Sequence, residues 1–263
     1  MRSAGLNLGN AKIPACGIAA MAKGSVPARS KTRLVPPLTF EQAAQCNTAF
    51  VRDIADNILA AAAQGSIAGY IAYGPADAQP FFQANLPSDI ALIEACHASL
   101  GECLDRAIAN LFERGHRAAV VVNSDSPTLP TSLLLEAAEM LARPGDRAVL
   151  GPALDGGYYL LGVKARHRRL FEDIAWSTQH VARQTQERAA ELRLPMHILP
   201  TWYDVDDVSA LKMLVAELFE GQSFAAGLRP AQPRHTRALF QSLLESSQLK
   251  DHLALDALRG AAE

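Results

Sequence analysis

The sequence predicts an α/β fold with a mostly parallel central sheet covered by helices on both faces. Three observations carry this expectation. Short apolar runs alternate with longer amphipathic ones along most of the chain, the order from which parallel sheets are built. Several of the short runs are almost wholly apolar, as strands buried on both faces are. Asp125 and Asp206 each follow an apolar run and precede a helix-like one. That places both at the carboxyl end of a strand, where open α/β sheets gather functional groups.

Taken in order, residues 14–21 read as a buried strand, short, apolar and ended by Lys23-Gly24. Thr39-x-x-Gln42 is a capping box that opens an Ala-rich helix to about residue 63. Residues 69–73 form a second strand. Residues 77–88, with two prolines and Phe81-Phe82, read as a loop or insertion. Residues 91–95 make a short strand, and 100–114 an amphipathic helix with Gly115 as its terminator. Residues 118–123 are the clearest central strand, followed by a helix over 132–142. Strands at 147–150 and 158–163 flank the segment 151–157. A helix over 180–192, a strand over 196–199 and a helix over 208–219 complete the pattern. Residues 1–12 read as a loose leader, and 221–263 as an accessory tail with one or two helices over 234–262.

The composition excludes several classes. Hydrophobic residues make up 49% of the 263 and charged residues 20%, an ordinary globular balance. A formal net charge of -2 offers no broad field for nucleic acid or anionic lipid, so any phosphate-binding charge must be local. Cys16, Cys46, Cys96 and Cys103 show neither a Cys-x-x-Cys pair nor zinc-like spacing, and a reduced, cytoplasmic setting is expected. Cys16 and Cys46 read as small core residues. Residues 13–22 are apolar enough to raise a signal peptide, but the run is short and its flanks fit poorly. No run approaches the ~18 apolar residues of a membrane span.

Two carboxylates meeting at one edge of a sheet suit a divalent cation and, through it, a phosphate-bearing substrate. The competing reading is that each is a helix N-cap, a common place for Asp. A basic loop after the first strand favours the cation. Residues 22–34 concentrate Lys23, Arg29, Lys31 and Arg33 among small residues, a composition that suits a pyrophosphate. It is not a P-loop: Ser25 and Ser30 stand where that motif needs its glycines before Lys31. A solvated basic loop is the bland alternative. The seven histidines show no ligand spacing.

Six segments appear in a fixed order: Met21-Ala-Lys-Gly-x-Val-Pro-x-x-x-Lys31-Thr-Arg-Leu34, Ser99-Leu-Gly-x-x-Leu-x-Arg-Ala107, Asn123-Ser-Asp-Ser-Pro-Thr-Leu129, Gly151-Pro-Ala-Leu-Asp-Gly-Gly-Tyr-Tyr-Leu160, Trp176-Ser-Thr178 and Asp204-Val-Asp-Asp207. Together they resemble a bacterial family of glycosyltransferase-A-type proteins. That family includes domains of unknown function and glycosyltransferases of the arsenosugar-biosynthesis type. It is related more distantly to 2-phospho-lactate guanylyltransferase and the molybdenum-cofactor nucleotidyltransferases. The resemblance implies a three-layer α/β/α glycosyltransferase-A-like (nucleotide-diphospho-sugar transferase) fold, with residues 13–220 as the nucleotide-binding and catalytic domain. Ser99 stands where the family often has an acid, Asn123 and Ser126 replace its usual neighbours of the metal aspartate, and Asp207 stands where Thr is common.

By this resemblance Asp125 and Asp206 hold Mg²⁺ or Mn²⁺, and Asp204 supports them. Lys31 and Arg33, assisted by Lys23, hold the donor's phosphates. Asp207 then caps the following helix and leaves Asp206 free. Asp155, between Leu154 and Gly156-Gly157, is the candidate base; the rival reading is a tight hairpin turn, which explains the glycines without needing an acid. Of Tyr158 and Tyr159, alternating along a strand, at most one can face the site. Trp176 and Thr178 would shape the acceptor pocket. The implied activity is metal-dependent transfer from a nucleotide sugar to a small acceptor. The alternatives are nucleotidyl transfer from a nucleoside triphosphate with release of pyrophosphate, and a non-catalytic nucleotide-binding protein.

Overall fold

The computed structural model describes residues 13–95, 99–245 and 249. The expected leader, Cys96 and most of the second tail helix lie outside these residues. Among the described residues seven strands form one sheet in the order β3-β2-β1-β4-β6-β5-β7. Their ranges are β1 Cys16–Lys23, β2 Ile67–Gly74, β3 Ala91–Glu94, β4 Ala118–Asn123, β5 Ala148–Pro152, β6 Tyr158–Val163 and β7 Met196–Ile198. All pairings are parallel except those of β6, which runs antiparallel to both β4 and β5. The reversal follows from the connection before it, since the five residues between β5 and β6 can close a hairpin but not a crossover.

Among the described residues seven α-helices cover the two faces: α1 Phe40–Ala62, α2 Gln79–Asn85, α3 Leu100–Glu113, α4 Thr131–Ala142, α5 Val181–Glu191, α6 Val208–Phe219 and α7 Arg234–Glu245. Phe50, Ile54 and Ile58 of α1, Leu133 and Leu134 of α4, Leu211 and Leu214 of α6 and Phe240 of α7 bury one face of the sheet. Leu104, Ile108 and Leu111 of α3, with Ala182 and Ala189 of α5, bury the other. The alternation of β4 divides its apolar residues between the layers, Val120 and Val122 on the α1 face and Ala119 and Val121 on the α3 face. No helix among the described residues is long and apolar enough to cross a membrane.

The helix starts have local causes. Thr39 accepts from the Gln42 N–H while the Gln42 side chain accepts from the Thr39 N–H, the reciprocal cap expected for α1. Ser99 and Glu102 repeat the arrangement at α3, so Ser99 is a helix cap rather than a site acid. Gly115, at φ 88, ends α3 as expected. Residues 77–88 are a correction: they hold a 3₁₀ turn and the helix α2, not a loop. Pro80 sits in the first turn of α2, where its missing N–H has no helical partner to lose, and Phe82 is fully buried.

Candidate active site

Because β1, β4, β5 and β7 are mutually aligned, their carboxyl ends share one edge of the sheet. The basic loop follows β1, Asp125 follows β4, Asp155 follows β5, and Asp204 and Asp206 end the segment after β7. That last segment is drawn across the sheet by main-chain bonds. Trp202 N–H donates to the Pro152 carbonyl at 3.1 Å, Leu154 N–H to the Trp202 carbonyl at 3.0 Å, and Val205 N–H to the Asp125 carbonyl at 2.8 Å. Trp202 and Tyr203, both buried, fix it from below. Asp207 caps α6 by accepting the Ala210 N–H at 2.9 Å, so the acid beside it is free to face the basic loop.

The two carboxylates converge on one ammonium. Lys31 Nζ lies 2.7 Å from Asp125 Oδ1 and 2.9 Å from Asp206 Oδ1, and donates to the Val205 carbonyl at 3.1 Å. Arg33 Nη2 meets the other Asp206 oxygen at 2.5 Å. The Lys31 side chain is only 6% exposed, whereas that of Arg33 is 67% exposed. Burial works to lower the Lys31 pKa, but Asp125 and Asp206 outweigh it and the ammonium is held charged. Burial likewise opposes ionisation of Asp206, and Lys31 with Arg33 reverses that, leaving its pKa below the usual carboxylate range. Lys31, expected to hold donor phosphates, thus sits between the two aspartates and pairs with both.

The loop is built for this placement. Ser25 Oγ receives Asn47 Nδ2 at 2.9 Å and Thr48 Oγ1 at 2.7 Å, and Asn47 also donates to the Lys23 carbonyl at 3.1 Å. Leu34, fully buried, pins the far end of the loop, and Lys31 Nζ passes 5.5 Å from the Phe50 ring centroid. Lys23 and Arg29 remain exposed on the loop. Neither Asn47 nor Thr48 was singled out from the sequence, although a polar residue on the apolar stripe of α1, between Cys46 and Phe50, was a usable signal.

Asp204 completes the acidic group. Its carboxyl is pushed up to about 7, first by burial and then by the charges of Asp155, Asp206 and Asp125. Asp155 does serve the turn: its Oδ1 accepts the Gly157 N–H at 2.8 Å. The hairpin therefore uses the acid as well as the glycines, against the expectation that the turn had no need of it. Gly156, at φ 89, has its carbonyl bonded to the Ala182 N–H at 2.9 Å, and a Cβ there would lie 2.2 Å from the Gln179 carbonyl oxygen. Tyr159 is buried on the α1 face and donates to the Pro200 carbonyl at 2.8 Å. Tyr158 takes the α3 face, edge-on to Trp176 at 6.4 Å. Trp176 packs on Gly101 at the start of α3, where an added Cβ would meet its ring at 3.0 Å. Thr178 Oγ1 donates to the Ala175 carbonyl at 2.7 Å, so this hydroxyl is committed to the turn before α5. Asn123 Oδ1, Ser126 Oγ and Tyr158 Oη, at the same edge of the sheet, are buried without a hydrogen-bond partner.

A second polar cluster has a structural explanation. Asp53, Asp56 and His235 bring ligand-type atoms within 4.8 Å of one another. Asp53 accepts the His235 and Thr236 N–H groups at 2.9 and 2.8 Å, and Asp56 Oδ2 takes Arg234 Nε at 2.8 Å and His235 Nε2 at 3.1 Å. These carboxylates cap α7 and tie it to α1. The adjoining groove of about 390 Å³ shares no lining residue with the acidic group around Lys31.

Residues 57–178 match a bacterial family, the uncharacterized protein conserved in bacteria (DUF2064). The matched span takes in Asp125, Asp155 and Trp176, and leaves Lys31 and Asp206 outside. No protein of curated function matches the chain. Among solved structures, a proposed nucleotide-diphospho-sugar transferase from Desulfovibrio desulfuricans G20 is 28% identical. It superposes with a TM-score of 0.74, over 90% of this chain and 96% of that one. CMP:2-keto-3-deoxy-manno-octonic acid synthetase complexed with CTP is 12% identical, with a TM-score of 0.51 over 79% of this chain and 99% of that one. A cytidylyltransferase from Leptospira borgpetersenii serovar Hardjo-bovis (strain JB197) is 10% identical, with a TM-score of 0.50 over 88% and 94%. The last two establish likeness of fold alone. The chain has the three-layer, nucleotide-diphospho-sugar-transferase-like fold that the sequence motifs implied.

Proposed function

We propose that this chain is a metal-dependent transferase that binds a nucleotide sugar by its phosphates and passes the sugar to a small acceptor. The observation that carries the reading is the convergence of Asp125 Oδ1, Asp206 Oδ1 and the Val205 carbonyl on one cation position. That donor set is all oxygen, which suits Mg²⁺ or Mn²⁺ and not a thiolate-seeking metal. Asp125 and Asp206 pair with Lys31 and Arg33, while Asp204 beside them has its pKa raised first by burial and then by the charges of Asp155, Asp206 and Asp125. The residues fit a divalent ion held by Asp125 and Asp206. When bound, such an ion neutralises phosphate charge and stabilises the departing nucleotide.

The chain's own residues supply the rest. Arg33 is fixed at one end by Asp206 and turns its remaining N–H donors to solvent, where a phosphate can meet them. Lys23 and Arg29 extend the positive rim. Asp204, kept partly protonated near neutral pH, limits repulsion within the acidic group. Asp155 keeps one carboxylate oxygen on the Gly157 N–H and offers the other as the base for an acceptor hydroxyl. The structure at 28% identity, described as a proposed nucleotide-diphospho-sugar transferase, supports a transferase that handles nucleotide sugars.

Calorimetry of nucleotide binding with and without Mg²⁺ tests it. Affinity should rise with the ion in the parent, and Asp125→Ala or Asp206→Ala should each erase that dependence. Unchanged metal-linked affinity in either variant would overturn the two-carboxylate reading.

A further inference from the structure

Lys31 occupies the place that the reading above gives to the metal. Its ammonium is within hydrogen-bond distance of both inner carboxylate oxygens and of the Val205 carbonyl. It is also nearly sealed from solvent. A divalent ion on the same two oxygens would lie at contact distance from that ammonium, and like charges so close repel strongly where solvent screens poorly. Both cations cannot stay. The backbone adds a second observation: Lys31 sits in the left-handed region at φ 51, a conformation that disfavours any side chain and that persists only when its surroundings over-determine it. Ser25, Asn47 and Thr48 hold one end of the loop and Leu34 the other, so the side chain is aimed at the pair by the fold.

We infer that Lys31 is the resting counter-ion of the Asp125–Asp206 pair, and that a divalent ion enters only as the ammonium leaves. The inference rests on the reading of those two aspartates as the ion's ligands. A released ammonium beside the ion is unfavourable until an anion takes it, and donor phosphates are that anion. Ion loading is thereby tied to nucleotide arrival, and by linkage each ligand strengthens the other. Lys31 changes partner from carboxylate to phosphate without the loop leaving its anchors.

The test reads opposite signs from one residue. Mn²⁺ alone, titrated by calorimetry, should bind Lys31→Met about tenfold or more tightly than the parent, the scale of a lost charge-assisted hydrogen bond. Inorganic pyrophosphate titrated in the presence of Mn²⁺ should bind Lys31→Met about tenfold more weakly. Damage to the fold would weaken both ligands. In the parent protein, acetylation of Lys31 by an N-hydroxysuccinimide ester, followed by mass spectrometry, should be slow without metal and rise at Mn²⁺ concentrations that saturate the carboxylate pair. This second arm decides the matter if Lys31→Met does not fold. Equal or weaker Mn²⁺ binding by Lys31→Met, abolished by Asp125→Asn in both backgrounds, overturns the exchange and leaves the metal reading standing. Labelling unchanged at saturating Mn²⁺ also overturns it. Absence of Mn²⁺ binding in parent and variant alike overturns both.

Discussion

Asp204 shows how much the site is shaped by charge that no single pairing explains. Its carboxyl lies near 7 through burial and three neighbouring acids, against an ordinary value of 3.8. An acid whose folded pKa exceeds its unfolded one binds more protons when folded. Its contribution to stability is therefore fully present below about 3.8 and is lost as pH rises through about 7. Asp204→Asn removes the carboxyl and its titration. In metal-free protein the variant's thermal midpoint should thus gain a few degrees on the parent between pH 4 and pH 8, and an unchanged gap would show the carboxyl to be unperturbed. At this scale the sequence was partly legible. Asp125 could be placed because it closely follows an apolar strand, and Asp207 could be given the helix cap, whereas Asp206 reaches the site on the segment after β7 and not at a strand end. The partner of Lys31 could not be read, because which of several charges a flexible four-carbon stem meets depends on contacts 94 and 175 residues away. The turn bond of Asp155 was a choice between two readable roles, and the structure gives it the turn without removing the other.

The legibility of an element depended on whether its signal was local. Capping boxes at Thr39 and Ser99 and the glycine stop at Gly115 mark helix ends within a few residues, and α1 and α3 were readable for that reason. The helix α2 was missed because its prolines read as breakers, although a proline in a first turn is compatible with a helix. The helix α7 depends on something remote. Its first N–H groups are capped by Asp53 of α1, and Phe240 and Leu244 bury themselves in the core shared with α1. Asp53 is 3% exposed. Asp53→Ala would leave the buried Thr236 N–H and the partly buried His235 N–H unpaired, a loss of about 2 kcal/mol in chemical denaturation, at the upper end for a cap. Amide exchange should quicken first in α7, while α3 on the opposite face keeps its protection. Uniform acceleration through both helices would mean that α7 is no separate unit of stability.

At the scale of the whole molecule, the strand order sets a frame that does not select a reaction. Placing β1 beside β4, with the antiparallel β6 next in line, gathers the basic loop, Asp125 and the Asp155 hairpin on one edge. The same frame recurs in the proposed nucleotide-diphospho-sugar transferase and, as a fold, in the CMP:2-keto-3-deoxy-manno-octonic acid synthetase and the cytidylyltransferase. What can separate the reactions is the need for a base. An acceptor hydroxyl attacking a sugar with inversion must lose a proton, whereas an ionised phosphate or carboxylate acceptor attacks as it stands. Asp155→Asn is a clean probe because the amide oxygen can still accept the Gly157 N–H, so the turn survives while basicity is lost. With a nucleotide sugar and an active acceptor, turnover should fall by about 10²–10⁴, the range of general-base catalysis, while donor affinity measured by calorimetry stays within a few-fold. Turnover within a few-fold of the parent would remove Asp155 as the base. Pyrophosphate released from a nucleoside triphosphate by the parent and the variant alike would then move the assignment to nucleotidyl transfer, with Asp155 retained for its turn and its charge.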